Sequence, residues 1–142
     1  MTVQAILDSK GHDILSVPAD AMLKDAVKIL SERKIGAVLV MKDGRIEGIL
    51  SERDIVRVLG QRGAKVLDEP VSETMTRKVV TCRQAETAAA IMEKMTTGKF
   101  RHLPLVESDK VVGLISIGDI VKFRVREYEM EQDALREYIK TA

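Results

Sequence analysis

The sequence predicts an α/β protein: a tandem pair of β-α-β-β-α units packed with pseudo-twofold symmetry, plus a long C-terminal helix. Three observations carry this. The chain repeats itself without a gap at an offset of 65 residues. Apolar residues within each copy change from strand-like to helical spacing and back. Each copy closes on the same run, Gly-apolar-apolar-Ser-x-x-Asp.

The repeat is read directly. Ile14-Leu15-Ser16-Val17 lies over Val79-Val80-Thr81-Cys82, and Ala37-Val38-Leu39-Val40 over His102-Leu103-Pro104-Leu105. Gly48-Ile49-Leu50-Ser51 lies over Gly113-Leu114-Ile115-Ser116, and Asp54 over Asp119. A chance match of apolar residues does not keep Gly, Ser and Asp in register as well. Self-similarity at this period marks a stacked repeat.

Each unit begins with a short β-branched run, residues 14–17 or 79–82, extended by propensity. An amphipathic helix follows, with Leu23, Ala26, Val27 and Leu30 at helical spacing in one copy. Ala88, Ile91, Met92 and Met95 take the same positions in the other. Two strands come next, joined by a tight turn at Lys42-Asp43-Gly44 or Ser108-Asp109-Lys110; Asp-Gly is a strong hairpin signal. A helix opening at Ser51 or Ser116 closes each unit. Short helices are expected before each unit, around residues 3–7 and 71–75. Residues 59–70 carry the turn residues and mixed charge of a linker. The boundaries expected are 6–65 for the first unit, 71–126 for the second, and 127–142 for a helical extension. One such unit is too small to bury a stable core alone, whereas two stacked copies are not.

Composition narrows the function classes. The 142 residues are 45% hydrophobic and 32% charged, a globular balance, with only 3% aromatics and no Trp. A stacking platform for single-stranded nucleic acid has little to be built from. Net charge is +1 with no basic block, so neither nucleic acid nor an anionic membrane is an expected partner. Cys82 alone cannot form an internal disulfide. The first residues lack the cationic start and apolar run of a signal peptide, and no apolar stretch approaches the roughly 20 residues that span a bilayer. A cytoplasmic protein is expected. His12, His102 and Cys82 lack the spacing of a metal site, and no phosphate loop, nucleophile elbow or nucleophile-base-orienter set occurs. Gly98 reads as the stop of the helix carrying Met95. No catalytic residue and no catalytic cofactor are expected.

The candidates for binding are Ser51-Glu52-Arg53-Asp54 and Ser116-Ile117-Gly118-Asp119. In one reading each Ser caps its helix and each Asp answers at the third position, a capping-box variant. In the other, a hydroxyl, a carboxylate and exposed N–H groups converge on an anion or a ribose cis-diol. The same Ser can do both. Arg101 and His102 interrupt a strand that should be buried; they face solvent at its start, or Arg101 meets a phosphate through its planar fork with His102 as second donor. The first unit has Lys34-Ile35-Gly36-Ala37 there, which predicts two unequal pockets. Between residues 119 and 140, Val121, Val125, Tyr128, Leu135 and Ile139 fall near one stripe, with Glu131 and Glu137 elsewhere. One helix would reach about 33 Å, either laid along its own module or offered to a second copy or a partner.

These features resemble a pair of cystathionine-β-synthase domains, also called a Bateman module. The resemblance rests on the tandem β-α-β-β-α units, the Gly-apolar-apolar-Ser-x-x-Asp endings and the Phe100-Arg101-His102-Leu103-Pro104 strand. It covers residues 6–126. It implies a non-catalytic regulatory module that binds AMP, ADP, ATP, NAD(H) or S-adenosylmethionine between its units and assembles as a homodimer. Ser116 and Asp119 would hold a ribose, with Gly118 beside them, and Ser51 and Asp54 would match them in the first unit. Val17 and Cys82, with Ile35, Gly36, Ala37 and Val38 and with Phe100, Arg101, His102 and Leu103, would wrap adenine and phosphate. Arg53 would either narrow its pocket or hold a phosphate. AMP is the first expectation and NAD(H) the second; a dimerisation scaffold with vestigial pockets is the alternative. The regulated partner is not legible.

Overall fold

The computed structural model describes residues 2–11 and 13–141, the side chains of Ser9 and Lys10 excepted. The elements run α1 (Val3–Lys10), β1 (Ser16–Val17), α2 (Leu23–Arg33), β2 (Ala37–Lys42), β3 (Arg45–Ser51) and α3 (Glu52–Arg62). Two 3₁₀ turns, Ala64–Asp68 and Val71–Glu73, lead to α4 (Ala88–Gly98), β4 (His102–Glu107), β5 (Lys110–Ser116) and α5 (Ile117–Thr141). None of the helices is long and apolar enough to cross a membrane among the described residues.

The two sheets obey the 65-residue offset. Ala37 pairs with Ser51 and Val40 with Gly48; His102 pairs with Ser116 and Leu105 with Gly113. A bulge follows Val40 in one ladder and Leu105 in the other. Both hairpins turn through two left-handed residues, Asp43 and Gly44 in the first, Ser108 and Asp109 in the second. That geometry matches the right-handed twist of the strands, and Asp109 tolerates a conformation that Gly44 adopts without strain.

The opening strands are shorter than expected. β1 contains only Ser16 and Val17, paired parallel to β2. Its counterpart is a single parallel bridge between Cys82 and Leu105, held by Cys82 N donating to Pro104 O at 2.9 Å and Val106 N to Cys82 O at 2.9 Å. The residues before them line the clefts described below, although Leu15 O still accepts from Leu39 N of β2 at 3.3 Å. The expected linker at residues 59–70 is also corrected. α3 continues to Arg62, and Val66 in the following turn is fully buried, because an apolar side chain there completes the first core. The helix expected at residues 71–75 is a 3₁₀ turn of three residues entered from Pro70.

The cores reveal an exchange. Val3, Ile6 and Leu7 of α1 pack with Ile91, Leu103, Ile115 and Phe123 of the second unit. Val66, Val71 and Met75, from the stretch that leads into the strands of the second unit, pack with Leu23, Val38, Leu50 and Ile55 of the first. Each lead-in segment is pinned to the opposite unit: Val3 N donates to Glu86 O at 3.0 Å, and Val71 N to Ala21 O at 2.7 Å. Close approach explains two glycines. A Cβ on Gly113 would meet the Leu7 side chain at 2.5 Å, and one on Gly48 would meet Met75 Sδ at 2.7 Å.

Candidate functional site

Each Ser-x-x-Asp run is a helix cap in fact. Ser51 Oγ accepts from Asp54 N at 3.3 Å, and Asp54 Oδ2 accepts from Ser51 N at 3.1 Å. Ser116 Oγ accepts from Asp119 N at 3.1 Å, and Asp119 Oδ2 from Ser116 N at 2.9 Å. The carboxylates differ beyond the cap. Asp54 is buried, accepts from Arg57 Nη1 at 3.1 Å and takes a hydrogen bond from Thr76 Oγ1 at 3.3 Å. Asp119 is half-buried and holds an interaction of its own. The strands set these ends in place: Glu52 N donates to Gly36 O at 2.9 Å, and Ile117 N to Arg101 O at 2.8 Å.

Two clefts open at these helix starts, and each takes its second wall from the other unit. The first, about 600 Å³, joins Ser51, Arg53, Asp54 and Arg57 to Lys78, Val79, Val80, Lys99, Phe100 and His102. The second, about 840 Å³, joins Ser116, Gly118, Asp119, Arg101 and His102 to Ile14, Leu15, Lys34, Ile35, Gly36 and Ala37. These volumes lie within the range of small-molecule sites. His102 lines both clefts. A Cβ on Gly36 would stand 3.0 Å from the His102 ring and 2.7 Å from Glu52 Oε1, so a larger residue there would displace both side chains.

The clefts are unequal in charge. The first gathers Arg53, Arg57, Lys78 and Lys99 against one carboxylate, Asp54. The second sets Arg33, Lys34 and Arg101 against Asp13, Glu52 and Asp119. Arg53 crosses the first cleft and donates to Lys99 O at 3.2 Å; Gly118 leaves that position open in the second. Lys34 and Lys99 are the left-handed caps of α2 and α4. This corrects the expectation that Gly98 ends the helix by its backbone freedom. Gly98 is required because the Phe100 ring occupies the place of its Cβ.

Four expected site residues stand elsewhere. Val17, Val38, Cys82 and Leu103 are at most 5% exposed and belong to the hydrophobic cores. Their strand positions point inward, and the cleft walls come instead from the residues before each short strand. Burial pushes the Cys82 thiol up to about 12, with repulsion from Glu86 adding to it, so it has no nucleophilic character at neutral pH. Sequence reasoning missed Ile14, Leu15, Lys78, Val79 and Val80 as wall residues. The signal was there: apolar side chains on successive residues, of which Val80 is 44% exposed, do not fit a strand with one buried face. His12 lies outside the described residues.

The comparisons with known proteins agree with the duplication. The family model of the CBS domain matches residues 7–61 and again residues 71–126. The chain belongs to the CBS domain family. As a CBS pair it is similar to the CBS-domain containing protein ATU1752 from Agrobacterium tumefaciens, at 43% identity and a TM-score of 0.86, covering 87% of this chain and 99% of that one. It is 30% identical to the mitochondrial CBS domain-containing protein CBSX3 of Arabidopsis thaliana, across 98% of this chain and 72% of that protein. It also resembles the CBS domain pair of protein MJ0100, solved in complex with 5-methylthioadenosine and S-adenosyl-L-methionine. There the TM-score is 0.77 and the identity 25%, over 87% of this chain and 98% of that one.

Proposed function

We propose that this CBS pair is a non-catalytic regulatory module that binds an adenine nucleotide, AMP first and NAD(H) second, in the clefts between its units. One observation carries the reading: each Ser-x-x-Asp helix start opens on a cleft whose far wall is contributed by the other unit. A ligand there bridges the units and changes their relative freedom, which is what a sensor requires. The Asp54 and Asp119 carboxylates accept from ribose hydroxyls. Phe100 in the first cleft and Ile35 in the second offer apolar surface to adenine. Phosphate is drawn to the first cleft, where four cations face one carboxylate. Arg101 and His102 sit in a balanced second cleft that suits a less charged adenosyl group. The adenosyl ligands of MJ0100 support this chemical class. ADP, ATP and S-adenosylmethionine are competitors to be tested, and a homodimer acting on a regulated protein completes the proposal.

The test is thermal shift followed by calorimetric titration with AMP, ADP, ATP, NAD, NADH and S-adenosylmethionine. A ligand that binds only the folded protein adds about 2.7 kcal/mol of stability at a hundredfold excess over its dissociation constant. AMP is expected to raise Tm in the wild type and to bind at least about tenfold more weakly to Phe100→Ala, a loss of about 1.4 kcal/mol. Asp119→Asn is expected to leave AMP binding in place and to weaken S-adenosylmethionine, whose adenosyl group carries no phosphate. If no adenine ligand shifts Tm, the module is a scaffold without a functional pocket.

A further inference from the structure

The Asp54 carboxylate is already full. Its two oxygens have room for about four donors. Four from the described residues reach them: Ser51 N at 3.1 Å, Ser51 Oγ at 3.1 Å, Arg57 Nη1 at 3.1 Å and Thr76 Oγ1 at 3.3 Å. The Asp54 side chain is also enclosed, 8% exposed against 53% for that of Arg57. A ribose brings two further hydroxyl donors, so it reaches Asp54 only by displacing one of these. The two donors of Ser51 belong to the cap of α3. Thr76 is tied to β3 through its backbone, Thr76 N donating to Ile49 O at 2.8 Å and Ile49 N to Thr76 O at 2.9 Å. Arg57 is held only at the tip of a flexible, exposed stem, and it is the donor that gives way.

That exchange is not neutral. A ribose hydroxyl replaces the hydrogen bond of Arg57 but not its charge, and an enclosed carboxylate that loses its cation is left uncompensated. A phosphate on the ligand changes the balance, because the released guanidinium takes its oxygens through the planar fork. Arg57 lines the same cleft as Arg53, Lys78 and Lys99, the cations that draw a phosphate there. At the 65-residue offset Arg57 and Thr76 fall on Lys122 and Gly11, and neither lines the second cleft. We infer, on the reading that the first cleft holds an adenine nucleotide, that Arg57 is its specificity gate. The arginine passes from Asp54 to the phosphate of the ligand before the ribose diol docks, so this cleft takes nucleoside phosphates and refuses nucleosides.

Calorimetric titration of the full chain in an Asp119→Asn background, which weakens the second cleft for adenosyl groups, reads the gate with AMP, adenosine and 2′,3′-dideoxyadenosine. AMP is expected to bind at least about tenfold more tightly than adenosine, the scale of one hydrogen bond to a charged group. Arg57→Met keeps the stem and removes the fork. It should weaken AMP and tighten adenosine, each about threefold, so that the preference falls about tenfold. Dideoxyadenosine lacks the diol and should gain nothing. Arg57→Lys leaves a mobile cation and should retain most of the preference. Thr76→Val vacates one acceptor site without touching the phosphate, and it should tighten AMP and adenosine alike. If Arg57→Met does not fold, Thr76→Val decides, and no gain for adenosine overturns the gate. Adenosine unchanged or weakened by Arg57→Met, or a gain shared by dideoxyadenosine, overturns the gate while AMP binding stands. AMP that fails to bind, or that ignores Phe100→Ala, overturns the nucleotide reading and the gate with it.

Discussion

At the scale of single residues, burial separates groups that the sequence presents alike. Asp54 and Asp119 share a motif, yet one carboxylate is enclosed by Arg57 and Thr76 and the other is half-buried. Cys82 shows the same effect on chemistry. Its thiol is raised from an ordinary 9.0 to about 12 by burial, with Glu86 adding to the shift. The stability it contributes is fully present below the unfolded value and is lost as pH climbs from 9.0 toward 12, because only the unfolded thiol ionises in that window. The expected loss is about 1 kcal/mol per pH unit above the unfolded value, read from urea midpoints, and Cys82→Ala should flatten that part of the profile. An aromatic disulfide reagent at neutral pH should label Cys82 only as fast as the protein unfolds. The misplacement of Val17 and Cys82 on a cleft wall belongs to this scale too. A strand of two residues has too little alternation to show which face is inward.

At the scale of elements, strands and helices were legible because the duplication doubles every signal. Apolar spacing fixed α2 and α4, and the Asp43-Gly44 turn announced its hairpin. The partner of each lead-in segment was not legible. Nothing in Val3, Ile6 and Leu7 says that they pack on the distant Ile91 and Ile115 and not on the nearer strand, since hydrophobic burial is non-directional. The glycines that permit the approach gave a hint, but Gly48 and Gly113 also fit a turn or bulge. A double-mutant cycle tests this contact. Leu7→Ala should cost about 2–5 kcal/mol. Gly113→Ala should also destabilise, since its Cβ would meet Leu7. The double variant should cost clearly less than the two added together, because truncating Leu7 makes room for the new methyl. Additive losses from chemical denaturation would mean that the two do not touch.

For the molecule as a whole, the exchange of lead-in segments makes two repeats into one thermodynamic body. Each core contains residues from both sides of the repeat boundary, so neither unit can open without uncovering part of the other. Calorimetry should show one transition whose van't Hoff and calorimetric enthalpies agree, and deleting residues 2–10 should lower that single Tm instead of releasing one half. The unequal clefts were foreseeable from Arg101-His102 standing opposite Gly36-Ala37. Which cleft holds the excess cations was not, because Lys78 and Lys99 join Ser51 only once the units are stacked. The same exchange sets an order of events during synthesis. Domains fold as the chain emerges, amino end first. The residues of the first core have all been made once Met75 is added. α1 is made before the second unit, and Val3, Ile6 and Leu7 stay uncovered until Phe123 has followed. The helix ahead of the first unit therefore finds its place only when the second unit has been made, and it needs shelter in the meantime.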